Sequence, residues 1–132
     1  MKRIYRTNLI GIPKLAETIS KQLTGGEIFG LVGQLGSGKT TFAQALAKHL
    51  KVKGLVTSPT FIIMNRHKGW LPRTKKPIFF HHLDLYRAKS YKEFTALGLE
   101  EVFNQTNSVT AIEWADSIKQ YLPKHTRWIY FS

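Results

Sequence analysis

The sequence predicts an α/β domain with a central, largely parallel β-sheet, and three observations lead to this class. Short apolar runs typical of buried strands alternate with helical patterns along the chain. A glycine-rich stretch, residues 33–40, lies between one such run and a helical pattern. The 132 residues are 42% hydrophobic, an ordinary value for a protein that buries a core. We therefore expect residues 1–132 to form a single domain.

The glycine-rich stretch reads Gly-Gln-Leu-Gly-Ser-Gly-Lys-Thr and matches G-x-x-x-x-G-K-[ST], the phosphate-binding loop (P-loop) of nucleoside triphosphatases. An apolar strand, residues 28–32, leads into it, and an Ala/Leu-rich helix, residues 41–50, leaves it. This order suits phosphate, because the loop offers successive backbone N–H groups and the helix offers its N-terminus. The nucleotide is expected to contact Gly33, Leu35, Gly36, Ser37, Gly38, Lys39, Thr40 and Thr41.

Two side chains of the loop have chemical roles in this pattern. Lys39 offers an ammonium group to the β- and γ-phosphates, and the Thr40 hydroxyl is the expected Mg²⁺ ligand. Glycines allow backbone conformations that a Cβ would obstruct, and they let the chain approach phosphate oxygens closely. The sequence thus predicts a three-layer, P-loop NTPase-like domain.

The remaining elements follow in order along the chain. Pro13 stands in the first turn of a helix whose apolar positions recur at helical spacing. A basic, turn-rich connection, residues 66–77, is interpreted as the tip of an inserted β-hairpin. The further predicted elements are an edge strand at 2–8, a helix at 12–23, a loop feeding a strand at 56–65, its partner strand at 78–85, a helix at 91–104, a strand at 109–113, a short helix at 116–122 and a strand at 127–131.

A nucleotide site needs a further acidic group to hold Mg²⁺ and a polar group to position the attacking water. Asp84 and Glu113 each follow an apolar run, so each is expected at the carboxyl end of a strand, where such groups are found. Spacing alone does not rank the two. Taken singly, an acid after a strand is more often an ordinary cap or salt-bridge partner.

Charge is distributed unevenly along the chain. Twenty Lys and Arg face eight Asp and Glu, a net charge of +12, and no carboxylate lies between Ile28 and Leu83. This imbalance favours a polyanionic partner such as RNA, with a merely solubilising surface as the alternative. Trp70, among the basic residues, is either a stacking platform for RNA bases or part of a packed hairpin tip.

Composition also indicates the compartment. The chain has no cysteine, no apolar run of membrane-spanning length and no secretory signal after its basic start. A cytoplasmic protein with no membrane association is expected. The pair His81–His82 has no neighbouring cluster of metal-ligating residue types, so these two positions are not interpreted as a metal site.

Five motifs in register resemble the bacterial TsaE family, also called YjeE. They cover the chain from about Leu15 to Asp116, and the four after the loop are specific to that family. The motifs are Gly-x-Leu-Gly-x-Gly-Lys-Thr-Thr-Phe (33–42), Ser-Pro-Thr-Phe (58–61), His-x-Asp-Leu-Tyr-Arg (82–87), Gly-Leu-Glu-Glu (98–101) and Ile-Glu-Trp (112–114).

The resemblance implies a small, Mg²⁺-dependent ATPase that acts with the TsaB–TsaD heterodimer. That complex transfers a threonylcarbamoyl group to the adenosine beside the anticodon of tRNAs reading codons that begin with A. Carried over by position, Thr40 and Glu113 would hold Mg²⁺, and Asp84 would lie near the γ-phosphate. Thr60 and Trp114 would line the nucleotide, and Lys39, Asp84 and Glu113 would form the catalytic group.

This chain departs from the family pattern in three places. Gln34 stands where the family commonly has Asp, which removes a negative charge beside the nucleotide. Ile12–Pro13 falls where members often have a polar Thr near the base, and the chain stops at Ser132, where relatives usually continue. The base contacts of the family are therefore not carried over to this sequence.

Two other functions fit a P-loop. A small-molecule kinase should have a lid with several arginines and an acceptor-binding carboxylate soon after the loop helix. Arg66 and Arg73 are present, but that carboxylate is missing. A nucleotide-gated binding module with negligible turnover, in which ATP only orders a docking surface, is the second alternative.

Overall fold

The computed structural model describes residues 4–54, 64–85 and 98–132, and within them six strands form one sheet. Their spatial order is β1-β6-β2-β5-β4-β3. The strands are β1 (Ile4–Thr7), β2 (Ile28–Val32), β3 (Met64–Leu71), β4 (Lys76–Asp84), β5 (Ser108–Glu113) and β6 (Arg127–Phe131).

The described residues form three α-helices and one 3₁₀ segment. They are α1 (Ile12–Ser20), α2 (Lys39–His49), α3 (Leu99–Phe103) and a 3₁₀ segment (Ala115–Tyr121). None of them is long and apolar enough to cross a membrane.

Pairing in the sheet is parallel from β1 through β6, β2 and β5 to β4, and antiparallel only between β4 and β3. The predicted α/β class, the largely parallel sheet, the β-hairpin and the edge position of β1 are therefore confirmed. The parallel strands place their carboxyl ends at one edge of the sheet, where β2 passes into the P-loop.

Two hydrophobic clusters cover the two faces of the sheet and produce the three-layer arrangement. Along β5, Val109 and Ala111 pack into the cluster that contains α1 and α2, whereas Ile112 packs into the cluster with α3 and the 3₁₀ segment. This alternation follows from the two-residue period of a strand. Because both faces are covered, β5 is buried along its whole length.

The hairpin is longer and its turn tighter than predicted. Residues 66–77 are not a turn-rich connection, because β3 runs to Leu71 and β4 begins at Lys76. Alternating exposure explains this, since Arg66 and Lys68 are exposed on an edge strand without interrupting its pairing. Trp70 is half-buried within β3, and its backbone N–H donates to the Leu50 carbonyl at 2.6 Å. It therefore does not lie at the tip of the hairpin.

All four predicted helices differ from the structure in at least one boundary, and the loop helix, predicted at 41–50, is α2 at Lys39–His49. α1 ends at Ser20 instead of residue 23, because the Gln22 N–H donates to the carbonyl of Ile19, three residues back, and the Ser20 hydroxyl donates to the Glu17 carbonyl. The helix expected at 116–122 is a 3₁₀ segment that begins at Ala115. Of the helix expected at 91–104, only α3 falls in the described residues, and residues 91–97 lie outside them.

Candidate nucleotide and metal site

The P-loop joins β2, an inner strand of the sheet, to the N-terminus of α2. Gly38, the residue before α2, has φ +116°, a backbone conformation that residues with a Cβ rarely adopt. A Cβ at Gly38 would collide with the side chain of Ile12 on α1. The glycine therefore allows the loop to turn tightly into the helix while α1 packs against it.

Lys39 is 4% exposed, and its ammonium group is held at the base of the loop. Nζ donates to the carbonyls of Gly33 and Gln34, the latter at 2.8 Å, and lies 4.0 Å from the centre of the Trp114 ring. Burial lowers the pKa of Lys39 below its ordinary value, while the nearby carboxylates, Glu113 first among them, act in the opposite direction. The result is a cation presented inside the loop by backbone carbonyls and an aromatic face.

Thr40 and Glu113 meet across the site, although 73 positions separate them in sequence. The Thr40 hydroxyl lies 2.8 Å from Oε1 and 2.9 Å from Oε2 of Glu113. Glu113 is the last residue of β5 and is 3% exposed. The first turn of α2 and the end of β5 thereby place a hydroxyl and a carboxylate, the two predicted Mg²⁺ ligands, within hydrogen-bonding distance of each other.

Asp84 is the last residue of β4 and pairs in register with Glu113 on β5. Both carboxylates thus stand at the same edge of the sheet, and both line the cleft above the P-loop. The sequence did not rank the two acids. The structure gives them different environments, since Glu113 is buried against Thr40 and Asp84 is half-buried.

The cleft has a volume of about 260 Å³ and gathers most of the predicted site residues. Gly33 and Ser37 of the loop are not among the residues that line it, and Thr60 lies outside the described part of the chain. The lining residues are Leu35, Gly36, Gly38, Lys39, Thr40, Thr41, Asp84, Glu113 and Trp114.

Trp114 follows β5 in the left-handed region, with φ +60°, which is uncommon for a residue with a bulky side chain. The backbone N–H of Trp114 donates to the Leu31 carbonyl of β2 at 3.2 Å, so this part of the chain is bonded to the strand that leads into the P-loop. This turn brings the indole ring over the Lys39 ammonium. Sequence patterns do not predict that contact, because it depends on one unusual backbone conformation.

The residues present fit a nucleoside triphosphate and Mg²⁺. Lys39, Gly36 and Gly38 line the cleft at the N-terminus of α2, where an ammonium group and a loop backbone without Cβ atoms suit a phosphate. Thr40 and Glu113 supply the oxygen ligands that Mg²⁺ prefers, and Mg²⁺ commonly takes only one or two ligands from protein. In the described part of the chain, no three His, Cys, Asp or Glu side chains gather into a metal cluster.

Sequence reasoning missed one residue of this site. His82, interpreted above only as part of a motif, is fully buried, and its Nε2 lies 2.6 Å from Oε2 of Glu113. The sequence held only a partial signal, because residues 82 and 84 of one strand share a face, which sets His82 on the same face as the candidate acid Asp84. The contact with Glu113 depends in addition on the register between β4 and β5.

Sequence comparison with known proteins shows the family to which the chain belongs. The family model for "Threonylcarbamoyl adenosine biosynthesis protein TsaE" matches residues 8–132. Two curated relatives bear the name tRNA threonylcarbamoyladenosine biosynthesis protein TsaE. The protein of Aquifex aeolicus is 42% identical over 110 residues, covering 80% of this chain and 71% of its own. That of Bacillus subtilis is 37% identical over 114 residues, covering 86% and 64%.

A solved structure is similar as well. The crystal structure of Bacillus subtilis YdiB aligns with a TM-score of 0.62 and 27% sequence identity, over 87% of this chain and 65% of the other. The chain therefore spans about two thirds of the length of the proteins it matches.

Proposed function

Because the chain belongs to the TsaE family, we propose that it is an ATP-binding, Mg²⁺-dependent ATPase of tRNA threonylcarbamoyladenosine biosynthesis. In this role it would act in the cytoplasm beside the enzyme that modifies the adenosine next to the anticodon. The observation that carries the proposal is the bond between Thr40 and Glu113, which sets a hydroxyl and a carboxylate together beside the P-loop.

Four side chains of the cleft would have a task in this reaction. Lys39 would exchange its carbonyl partners for β- and γ-phosphate oxygens, while the loop N–H groups hold the phosphates. Thr40 and Glu113 would hold Mg²⁺, which neutralises charge on the phosphates when bound. Asp84 would orient the attacking water, and its position in the same cleft, one strand away from Glu113, supports this role.

A partner protein is expected to complete the site. The lining residues of the described cleft include one cation, Lys39, and no arginine. Phosphoryl-transfer sites often use an arginine supplied by a second protein, with large effects on turnover. We assign this role to the TsaB–TsaD heterodimer, so hydrolysis by the isolated chain should be slow.

The hairpin offers a second surface to this assembly. Arg66, Lys68, Arg73, Lys75 and Lys76 are exposed on it, and the whole interval 28–83 carries no carboxylate. A field of one sign attracts a polyanion, and tRNA is the polyanion of this reaction. We assign the hairpin to tRNA backbone contacts made within the complex.

The test is steady-state ATP hydrolysis by the purified chain alone, with the heterodimer, and with the heterodimer and tRNA. We expect slow hydrolysis that rises with the complex and is lost in Lys39→Ala and Glu113→Ala. ATP binding without hydrolysis under every combination would instead identify a nucleotide-gated binding module. Phosphate transfer to a small acceptor, unaffected by the complex, would contradict the proposal.

A further inference from the structure

His82 is buried beside the candidate metal site in a position that its neighbour does not share. Its side chain is 0% exposed, and Nε2 lies 2.6 Å from Oε2 of Glu113. His81, the preceding residue, is 1% exposed but points to the opposite face of the sheet, where Arg66 is its partner in the β3–β4 register. Only one of the two adjacent histidines therefore reaches the carboxylate.

The direction of this hydrogen bond follows from the chemistry of its partners. A carboxylate that serves as a Mg²⁺ ligand only accepts hydrogen bonds, so we assign the Nε2 atom of His82 as the donor. The Nδ1 atom of the same ring is buried without a partner among the described residues. The ring thus forms one strong contact, and that contact is with Glu113.

Glu113 is held from two sides. Thr40 donates to the carboxylate from α2, and His82 donates to it from β4. Since Thr40 is itself an expected Mg²⁺ ligand, its hydroxyl is not an independent support for the carboxylate. His82 is the group that can fix the orientation of Glu113 whether or not the metal is bound.

We infer that His82 is a positioning residue, which orients the Glu113 carboxylate as a Mg²⁺ ligand through the Nε2–Oε2 hydrogen bond. The inference rests on the proposed function for the identity of the metal and nucleotide. Groups that hydrogen-bond to metal ligands fix ligand orientation, and their loss typically weakens metal affinity about 10- to 100-fold. A packing role for an imidazole in the core would carry no such effect on metal affinity.

The experiment titrates Mg²⁺ into the full chain with a fluorescent ATP analogue, and it compares His82→Leu, His82→Gln and His81→Leu. His82→Leu keeps the apolar bulk but loses the donor, so the apparent Mg²⁺ affinity should fall about 10- to 100-fold. Analogue binding in EDTA should stay as in the wild type. His82→Gln, which can donate from a similar position, should restore the affinity to within about threefold. His81→Leu is the matched control and should leave it unchanged.

Three results would overturn the inference: unchanged Mg²⁺ affinity in a folded His82→Leu, no rescue by His82→Gln, or an equal loss in His81→Leu. A second measurement needs no mutation of the histidine. Nitrogen NMR of the wild-type imidazoles should find His82 protonated at Nε2, with a resonance that shifts in Glu113→Gln. Protonation at Nδ1 alone would refute the inference. Because neither readout uses hydrolysis, an inactive wild-type protein would count against the proposed function and not against this role of His82.

Discussion

Gly38 shows how a single residue determines the turn from the P-loop into α2. Its φ of +116° is accessible to glycine at little cost, and the space beside it is filled by Ile12. Gly36, in the same loop, also has a positive φ, +79°, but a Cβ there would meet nothing within 4 Å. Two glycines of one motif are thus required for different reasons, backbone conformation at both and close packing only at Gly38.

This difference predicts unequal effects of alanine on stability. Gly38→Ala should lower the free energy of unfolding by about 2–3 kcal/mol, because strain and a collision with Ile12 act together. Gly36→Ala, the matched control, should cost only the strain, about 1 kcal/mol. Urea denaturation followed by circular dichroism measures both. Equal losses would show that packing against α1 does not restrict the loop.

His81 gives the stability of the protein a defined pH dependence. Burial, reinforced by the cationic Arg66 opposite it in the hairpin, lowers the pKa of His81 to about 4 from an ordinary value of 6.5. Between these two values the unfolded chain binds a proton that the folded chain does not. Stability should therefore fall as the pH is lowered from 6.5 to 4, by an amount on the order of 2 kcal/mol.

The measurement is the denaturation midpoint of wild type and His81→Gln at several pH values across that window. The wild type should lose more stability toward pH 4 than the variant, because glutamine does not titrate. His67 contributes in the same direction, since burial lowers its pKa as well, so part of the pH dependence should remain in the variant. Identical pH profiles would contradict this assignment.

At the scale of elements, the β3–β4 hairpin is the clearest case of a pattern with two meanings. A basic stretch with Gly and Pro suggested a long turn, yet the same residues extend an edge strand whose outward positions are cationic. Composition is a poor guide here because an edge strand tolerates charge on its solvent side. Pairing with β4 over eight residues decides the conformation, and that pairing is not a local property of the sequence.

The assignment of the hairpin to tRNA predicts a salt-dependent contribution from its tip. Arg73→Glu with Lys75→Glu should weaken tRNA binding by the assembled complex, and should reduce the slope of log K against log salt by about 1 to 2. Lys14→Glu with Lys48→Glu, the same charge change on α1 and α2, is the control and should have a smaller effect. Fluorescence anisotropy at several salt concentrations decides between them. Equal effects of the two pairs would mean that net charge, and not the hairpin, attracts tRNA.

At the scale of the whole molecule, the sequence alone was sufficient to predict the fold class and the P-loop, because both depend on local patterns. The strand–loop–helix order and the apolar runs of β2 and β5 are visible in any short window of the chain. The Thr40–Glu113 pair was expected as a pair of ligands, but its geometry required the sheet order that sets β5 beside β2.

Two contacts of the site could not be predicted from the sequence, because they depend on tertiary structure. The bond between His82 and Glu113 depends on the parallel register of β4 and β5, which no local pattern encodes. The contact between Lys39 and Trp114 depends on one residue in the left-handed region. Boundaries of α1 and the 3₁₀ segment were displaced by side-chain hydrogen bonds and tight turns, which compete with helical pairing at element ends.

The central claim is that the P-loop and Glu113 together form one site for ATP and Mg²⁺. The most direct measurement is calorimetric titration of ATP into the purified chain, with Mg²⁺ and with EDTA, for wild type, Lys39→Ala and Glu113→Gln. Wild type should bind more tightly with Mg²⁺, Lys39→Ala should lose binding in both conditions, and Glu113→Gln should lose only the gain from Mg²⁺. Absence of ATP binding by the wild type, or a gain from Mg²⁺ that persists in Glu113→Gln, would contradict the claim.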